Sequence, residues 1–199
     1  MIGISGISYH IPAQSIDNKD QAKKFNLSNE FIEKRIGVRK LPVKNANQET
    51  SDLAIQAIML LKKEYELNLD KIQALVVVTQ NPDGRGLPHT AAIIHEKLLM
   101  NNNVAAFDIS LGCSGYVYGL SIIKGLMEEA GLSNGILVTC DPYSKVINRE
   151  SQDCALLFGD ASSATLLSDN GDWVFGKPIL NTDGSGQQNL YVDIDNNLK

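Results

Sequence analysis

Short continuous apolar runs alternate along this chain with longer stretches in which apolar positions recur every three or four residues. Ala74-Leu75-Val76-Val77-Val78-Thr79, the run 104–109 and Ile136-Leu137-Val138-Thr139-Cys140 are of the first kind. Such runs suit strands buried on both faces, as in a parallel sheet covered by helices. Between them, 49–66 has helical period, with Leu53, Ala54, Ala57, Ile58, Leu61 and Tyr65 on one face and Thr50 or Ser51 at its start. A second helix is predicted over about 89–100, and a third, carrying Val117, Leu120, Ile123, Met127 and Ala130, ends near Gly131. The alternation predicts an α/β fold with a largely parallel sheet.

The remaining segments are shorter. Ile2, Ile4 and Ile7 read as a first strand, ended by Pro12 and a turn at Gln14-Ser15. A helix over 17–25 and a second helical turn or two, N-capped by Ser28 and stopped by Gly37, are both polar and read as a surface hairpin over a larger body. The stretch 80–88 is a loop by its Pro and Gly content. Small residues over 159–164 let backbones pass closely, and a strand resumes at 165–167. The run 173–180 is expected to be a final strand, antiparallel to its neighbour across Asp169-Asn170-Gly171.

The chemistry concentrates where the period changes. Phe107-Asp108-Ile109 is strand-like, Val117 onward is helical, and Gly112-Cys113-Ser114-Gly115 lies between. This puts Cys113 at a strand tip and a helix mouth, where unpaired first-turn N–H groups and the positive end of the helix dipole favour thiolate over thiol. The flanking glycines leave room for a substrate, so Cys113 is a candidate nucleophile on a sharp turn. The alternative is a small buried cysteine filling that turn. Ser114 is not in a G-x-S-x-G pattern, and its hydroxyl is expected to cap the helix. Cys113, Cys140 and Cys154 show no C-x-x-C, and with His10, His89 and His95 they show no zinc-ligand spacing.

Composition narrows the partners. With 43% hydrophobic and 21% charged residues the 199-residue chain reads as one ordinary globular domain. A net charge of −5 and no Lys/Arg run longer than two argue against nucleic acid. No stretch approaches the ~20 apolar residues of a membrane span, and the start lacks a secretory pattern. Three unpatterned cysteines fit a reducing cytoplasm.

Several blocks together resemble β-ketoacyl-[acyl carrier protein] synthase III, a condensing enzyme of the thiolase-like superfamily. Phe107 to Tyr116 resembles its nucleophile segment, and Glu33-Lys34-Arg35-Ile36-Gly37-Val38-Arg39 its early arginine-glycine-arginine segment. Asn81-Pro82-Asp83 and Pro88-His89-Thr90-Ala91-Ala92 resemble its loop-and-helix block. Phe158-Gly159-Asp160-Ala161-Ser162-Ser163-Ala164 resembles its F-G-D-G-A-G-A block, and Thr182-Asp183-Gly184-Ser185-Gly186 its D-G-S turn. The five blocks keep order and spacing over essentially the whole chain.

The resemblance implies one half of a thiolase-like fold: a mixed, mostly parallel five-stranded sheet with helices on both faces. It implies that an acyl-CoA primer acylates Cys113, that CoA leaves, and that an enolate from malonyl-[acyl carrier protein] attacks the thioester, in fatty acid or related polyketide biosynthesis. No permanently bound cofactor or metal is implied; acyl-CoA is a substrate and acyl carrier protein a partner, in a cytoplasmic homodimer. Arg35 and Phe31 match the family's contacts to the CoA nucleotide, by phosphate pairing and adenine stacking. Gln152 falls where the family's second stacking residue is usually arginine, and it cannot give a cationic stack. Leu87 matches an apolar residue that reaches into the partner subunit's acyl pocket.

Ser162, Ser163 and Leu111-Gly112 also depart from the family pattern, and these departures bear on CoA affinity and primer choice. The family's second half supplies a catalytic histidine and asparagine, and residues 1–199 match the N-terminal half only. His10, His89 and His95 do not match that histidine; a structural role is expected for His89 and His95. Two other readings stand beside condensation: acyl transfer from Cys113 to an oxygen or nitrogen nucleophile, and a non-catalytic half that dimerises with a partner.

Overall fold

The computed structural model describes residues 1–198. Its elements run in chain order as β1 (Gly3–His10), β2 (Ser15–Asp17), α1 (Asn18–Lys24), α2 (Asn29–Phe31), β3 (Lys40–Pro42), α3 (Thr50–Glu64) and β4 (Ala74–Val78). They continue as α4 (Thr90–Lys97), β5 (Ala105–Ile109), α5 (Gly115–Ala130), β6 (Asn134–Cys140), α6 (Gln152–Ala155) and β7 (Ser162–Ser168). The chain forms two compact units, one of residues 1–10, 47–141 and 161–180, the other of residues 11–46, 142–160 and 181–198.

The first unit holds a five-stranded sheet in the order β1-β7-β6-β4-β5. β6, β4 and β5 pair in parallel, while β7 is antiparallel to both β1 and β6. All strands but β7 therefore point one way, which is the mixed, mostly parallel sheet expected. The apolar run of β4 is buried throughout, and its alternation explains why. Leu75 and Val77 pack with Leu53, Ile58 and Leu61 of α3 and Ile94 of α4. Val76 and Val78 pack on the other face with Ile123 and Met127 of α5. Helices thus cover both faces, and every β4 side chain leaves water.

One expectation needs correction here. The run 173–180 forms no strand: only Trp173 bridges Ile4, exchanging N–H···O bonds of 2.9 and 3.1 Å. Pro178 has no N–H to donate, so aromatic and β-branched composition does not extend the ladder beyond one pair. α3 begins at Thr50, as expected, and is capped by Glu49, whose N–H donates to Asp52 Oδ2 at 2.8 Å in a reciprocal capping box.

The second unit is built around the polar helices near the start of the chain. Asp17 caps α1 by accepting from Lys19 N–H at 2.9 Å, and Ser28 caps α2 by accepting from Phe31 N–H at 3.1 Å. α2 runs into a π turn over Ile32–Ile36, which Gly37 ends at φ 73°. These helices are not a surface hairpin. Ala22, Ile32 and Leu156 form a buried cluster of their own, with Phe25 and Phe31 packed against it. The unit also contains a two-stranded ladder, β2 with β3, where the sequence suggests only a turn.

The small residues of the Phe158-Gly159-Asp160 block have the expected use. A Cβ on Gly159 would sit 2.8 Å from Pro42 Cδ and 3.1 Å from the Pro42 backbone N and O. That approach lets Asp160 N–H donate to Pro42 O at 2.8 Å. The Asp160 carboxylate is fully buried, accepting from Lys44 N–H at 2.8 Å and from Ser144 N–H and Oγ at 3.0 and 2.5 Å.

Candidate functional site

The parallel strands set the position of the candidate nucleophile. Ile109, Val78 and Thr139 stand level across β5, β4 and β6, and Thr79 N–H donates to Ile109 O at 3.0 Å just beyond. The chain leaving β5 turns at Gly112, where Gly115 N–H closes on the Gly112 carbonyl at 2.8 Å. Cys113 lies inside this turn and is exposed, whereas Cys140 and Cys154 are 1% and 5% exposed. Among the described residues it is the one thiol open to a reagent, and the buried-cysteine alternative does not hold.

The helix mouth beside it is set by close packing. Cβ atoms on Gly115 and Gly119 would lie 2.4 Å from Val78 Cγ1 and 2.8 Å from Leu137 Cδ1. Both positions need glycine for α5 to lie this close to β4 and β6. Ser114 occupies the N-cap position of α5, but its side chain makes no capping bond, contrary to expectation. Its ψ of −6° is already helical, whereas a capping hydroxyl works from an extended residue. The first i−4 bond of α5 runs from Tyr118 N–H to Ser114 O at 3.2 Å, which leaves the preceding amides outside the helical ladder.

Leu87 lies in the same unit, on the loop between β4 and α4, and is 94% exposed. Phe31, Arg35 and Gln152 belong to the second unit. Phe31 is half-buried and Arg35 exposed on one helical run, and Gln152 is the exposed first residue of α6. His89 precedes α4 without capping it, and His95 holds Asn101 O at 2.9 Å through Nε2.

Three acidic residues to which the motif reading gives no role organise the edge where Cys113 stands. Asp108 of β5 accepts from Thr90 and Ala91 N–H at 2.7 and 2.8 Å, so a strand carboxylate caps α4 from outside the helix. Asp108→Asn keeps the shape and removes the charge; the expected loss is about 1 kcal/mol of stability, read from the urea midpoint. Asp83 accepts from both Ser51 N–H and Ser51 Oγ at 2.7 Å. Asp141, directly after β6, accepts from Asn81 Nδ2 at 2.5 Å and Gln80 N–H at 3.2 Å.

Burial pushes the Asp141 carboxyl above its ordinary value, and the hydrogen bonds from Asn81 and Gln80 oppose that shift only in part. A carboxyl raised in the folded state costs stability once it ionises, and the cost is relieved as pH falls through the raised value. The stability difference between wild type and Asp141→Asn is therefore expected to move in favour of wild type as pH is lowered from neutral towards the ordinary carboxylate range, measured by urea unfolding. Among the described residues, no group of three His, Cys, Asp or Glu side chains is placed to hold a metal ion.

Similarity to known proteins runs over nearly the whole chain, this edge included. Residues 107–184, which include Cys113, match the 3-oxoacyl-[acyl-carrier-protein (ACP)] synthase III family. A β-ketoacyl-[acyl-carrier-protein] synthase III of Caldanaerobacter subterraneus subsp. tengcongensis is 33% identical over 192 residues, 96% of this chain and 57% of that protein. One from Clostridioides difficile is 32% identical over 190 residues, again 96% and 57%. A 2.1 Å crystal structure of a 3-oxoacyl-(acyl-carrier-protein) synthase III superposes with a TM-score of 0.89 at 29% identity, covering 100% of this chain and 65% of that one. The Burkholderia xenovorans 3-oxoacyl-(acyl-carrier protein) synthase gives 0.85 at 30% identity, covering 96% and 55%. The chain spans little more than half the length of the relatives it matches.

Proposed function

The chain belongs to the β-ketoacyl-[acyl-carrier-protein] synthase III family, and from that premise we propose that it accepts an acyl group from acyl-CoA on Cys113. The observation that carries this reading is the exposed thiol in the tight turn between β5 and α5. The sulfur attacks the thioester carbonyl, the C–S bond to CoA breaks, and CoA leaves as its thiol. In this reading the Cys113 amide, outside the helical ladder, donates to the carbonyl oxygen as charge develops on it. The second step is decarboxylative condensation. Malonyl-[acyl carrier protein] loses carbon dioxide, and its enolate carbon displaces Cys113 to give 3-oxoacyl-[acyl carrier protein], the first elongation of fatty acid or polyketide synthesis.

The other assignments follow the resemblance residue by residue. Arg35 and Phe31 contact the CoA nucleotide through phosphate and adenine, and exposed Gln152 contributes a hydrogen bond where relatives would stack an arginine. Leu87 reaches the acyl pocket of a second copy. A homodimer is favoured by β5, which pairs only with β4 among the described residues and leaves a ladder edge open. Among the described residues no helix is long and apolar enough to cross a membrane, and the reading assigns the protein to the cytoplasm with acyl carrier protein as its partner.

A second reading gives the condensing step to another polypeptide. Val117 and Ile122 of α5 are 48% and 40% exposed, apolar side chains that a covering domain would take out of water. Radiolabelled acetyl-CoA or a longer acyl-CoA is expected to label Cys113 with a group that hydroxylamine removes. Absence of label from every primer, while iodoacetamide still alkylates Cys113, overturns the acyl-accepting role. Condensation without any added polypeptide, in a chain monomeric by light scattering, overturns the second reading.

A further inference from the structure

An exposed leucine gauges the length of an acyl chain only if its loop is held at the base. Leu87 has two independent anchors beneath it. The first is Asp83, whose carboxylate grips Ser51 of α3 at 2.7 Å through both oxygens and whose N–H donates to Thr90 Oγ1 of α4 at 3.2 Å. This ties the loop to the helix layer. The second anchor ties it to the neighbouring strand. Asp141, one residue past β6, accepts from Asn81 Nδ2 at 2.5 Å, Gln80 N–H at 3.2 Å and Thr79 Oγ1 at 3.5 Å.

Asn81 is the hub of that second anchor. Its N–H donates to Thr79 Oγ1 at 3.0 Å, its carbonyl accepts from Thr50 Oγ1, and its side-chain amide is spent on Asp141. Thr79, Asn81 and Asp83 are 3%, 7% and 8% exposed, so these bonds form away from water, where a lost partner is costly. The donors facing Asp141 are amides and a hydroxyl, all neutral. All three of these bonds end on one oxygen, Asp141 Oδ1. Nothing in the acyl transfer at Cys113 requires an acid at this position.

We propose that Asp141 is a positioning residue for primer choice, holding the base of the 80–88 loop so that Leu87 projects to a fixed depth at the end of the acyl pocket. The proposal rests on the acyl-accepting reading above and deepens it. Its action runs through Leu87, with no contact to the substrate. Asp141→Ala removes the oxygen that three donors share and leaves the buried Asn81 amide without that acceptor, whereas Asp141→Asn keeps an Oδ1 in place.

The test combines two measurements on the full chain. Hydrogen exchange of the amides at 84–87 is expected to quicken by about tenfold in Asp141→Ala, and to stay near wild type in Asp141→Asn, which keeps the Oδ1 acceptor. The ratio of Cys113 labelling rates for two acyl-CoA primers differing by two carbons is expected to shift by about tenfold in Asp141→Ala. In a Leu87→Ala background Asp141→Ala should leave that ratio unmoved, because the coupling passes through the missing side chain. A merely structural acid would lower both rates together in either background.

Unchanged exchange at 84–87 overturns the anchoring role. Quickened exchange with an unmoved primer ratio overturns the link to primer choice, as does an equal shift in the Leu87→Ala background. A wild-type chain that takes no label from any primer overturns the acyl-accepting reading and this proposal with it. A labelled wild type with an unmoved ratio overturns this proposal alone.

Discussion

Cys113→Ala is expected to lower acyl labelling of the chain by at least about a thousandfold, the scale on which loss of a nucleophile acts. The other two thiols cannot substitute. Cys140 is 1% exposed with its Sγ directed at Thr50 O, and Cys154 is 5% exposed in a separate apolar cluster. The fold should be indifferent to the change. Cys113 is exposed and makes no disulfide, so stability is expected to stay within about 0.5 kcal/mol of wild type. Far-UV circular dichroism and a urea titration check that half of the result, and labelling from acetyl-CoA checks the other. A stable variant that still takes up label would move the acyl group to a different side chain.

The second large effect is expected one turn along. Gly115→Val would place Cβ 2.4 Å from Val78 Cγ1 and 3.3 Å from Leu111 Cβ, and Val78 belongs to the buried middle of the sheet. Neither neighbour can swing away freely, so the N-terminus of α5 must back off β4. Overpacking of this kind costs about 1–3 kcal/mol. Because Cys113 sits in the turn that Gly115 closes, labelling is also expected to fall, by about a hundredfold for an ångström-scale misplacement. Gly125→Ala on the same helix is the control. Nothing lies within 4 Å of a Cβ there, and alanine should raise helix stability by up to about 1 kcal/mol. Equal unfolding midpoints for Gly115→Val and wild type would contradict this packing of α5 on β4.

What the pattern of residues revealed and what it hid divide along physical lines. The buried run of β4 and the apolar spacing of α3 and α5 were readable because each records one face of one element against a core. The turn holding Cys113 was readable for the same reason, since strand period stops and helix period begins within a few residues. The β2–β3 ladder was not, because three-residue strands carry no period and their pairing joins distant parts of the chain. The run 173–180 misled in the opposite sense: its composition suits a strand, yet only Trp173 finds a partner in β1.

Polar anchors were the least legible. Asp108 caps a helix that precedes it in the chain, Asp83 reaches back to α3, and Asp141 holds a loop some 60 residues away in sequence. No local spacing announces such bonds; each depends on which strands lie side by side. Ser114 shows the converse, a capping residue by type whose backbone is already helical and whose hydroxyl caps nothing. Phe31, Arg35 and Gln152 were found only through resemblance, since an exposed arginine or glutamine and a half-buried aromatic leave no mark in hydrophobic period.

Peptide mapping by mass spectrometry after brief exposure of the native chain to acyl-CoA tests the acyl-accepting role most directly. One acyl group per chain is expected, on the peptide that contains Cys113, with Cys140 and Cys154 unmodified and one equivalent of free CoA released. An unmodified Cys113 peptide, or acyl groups scattered over lysines and the buried cysteines, would contradict it.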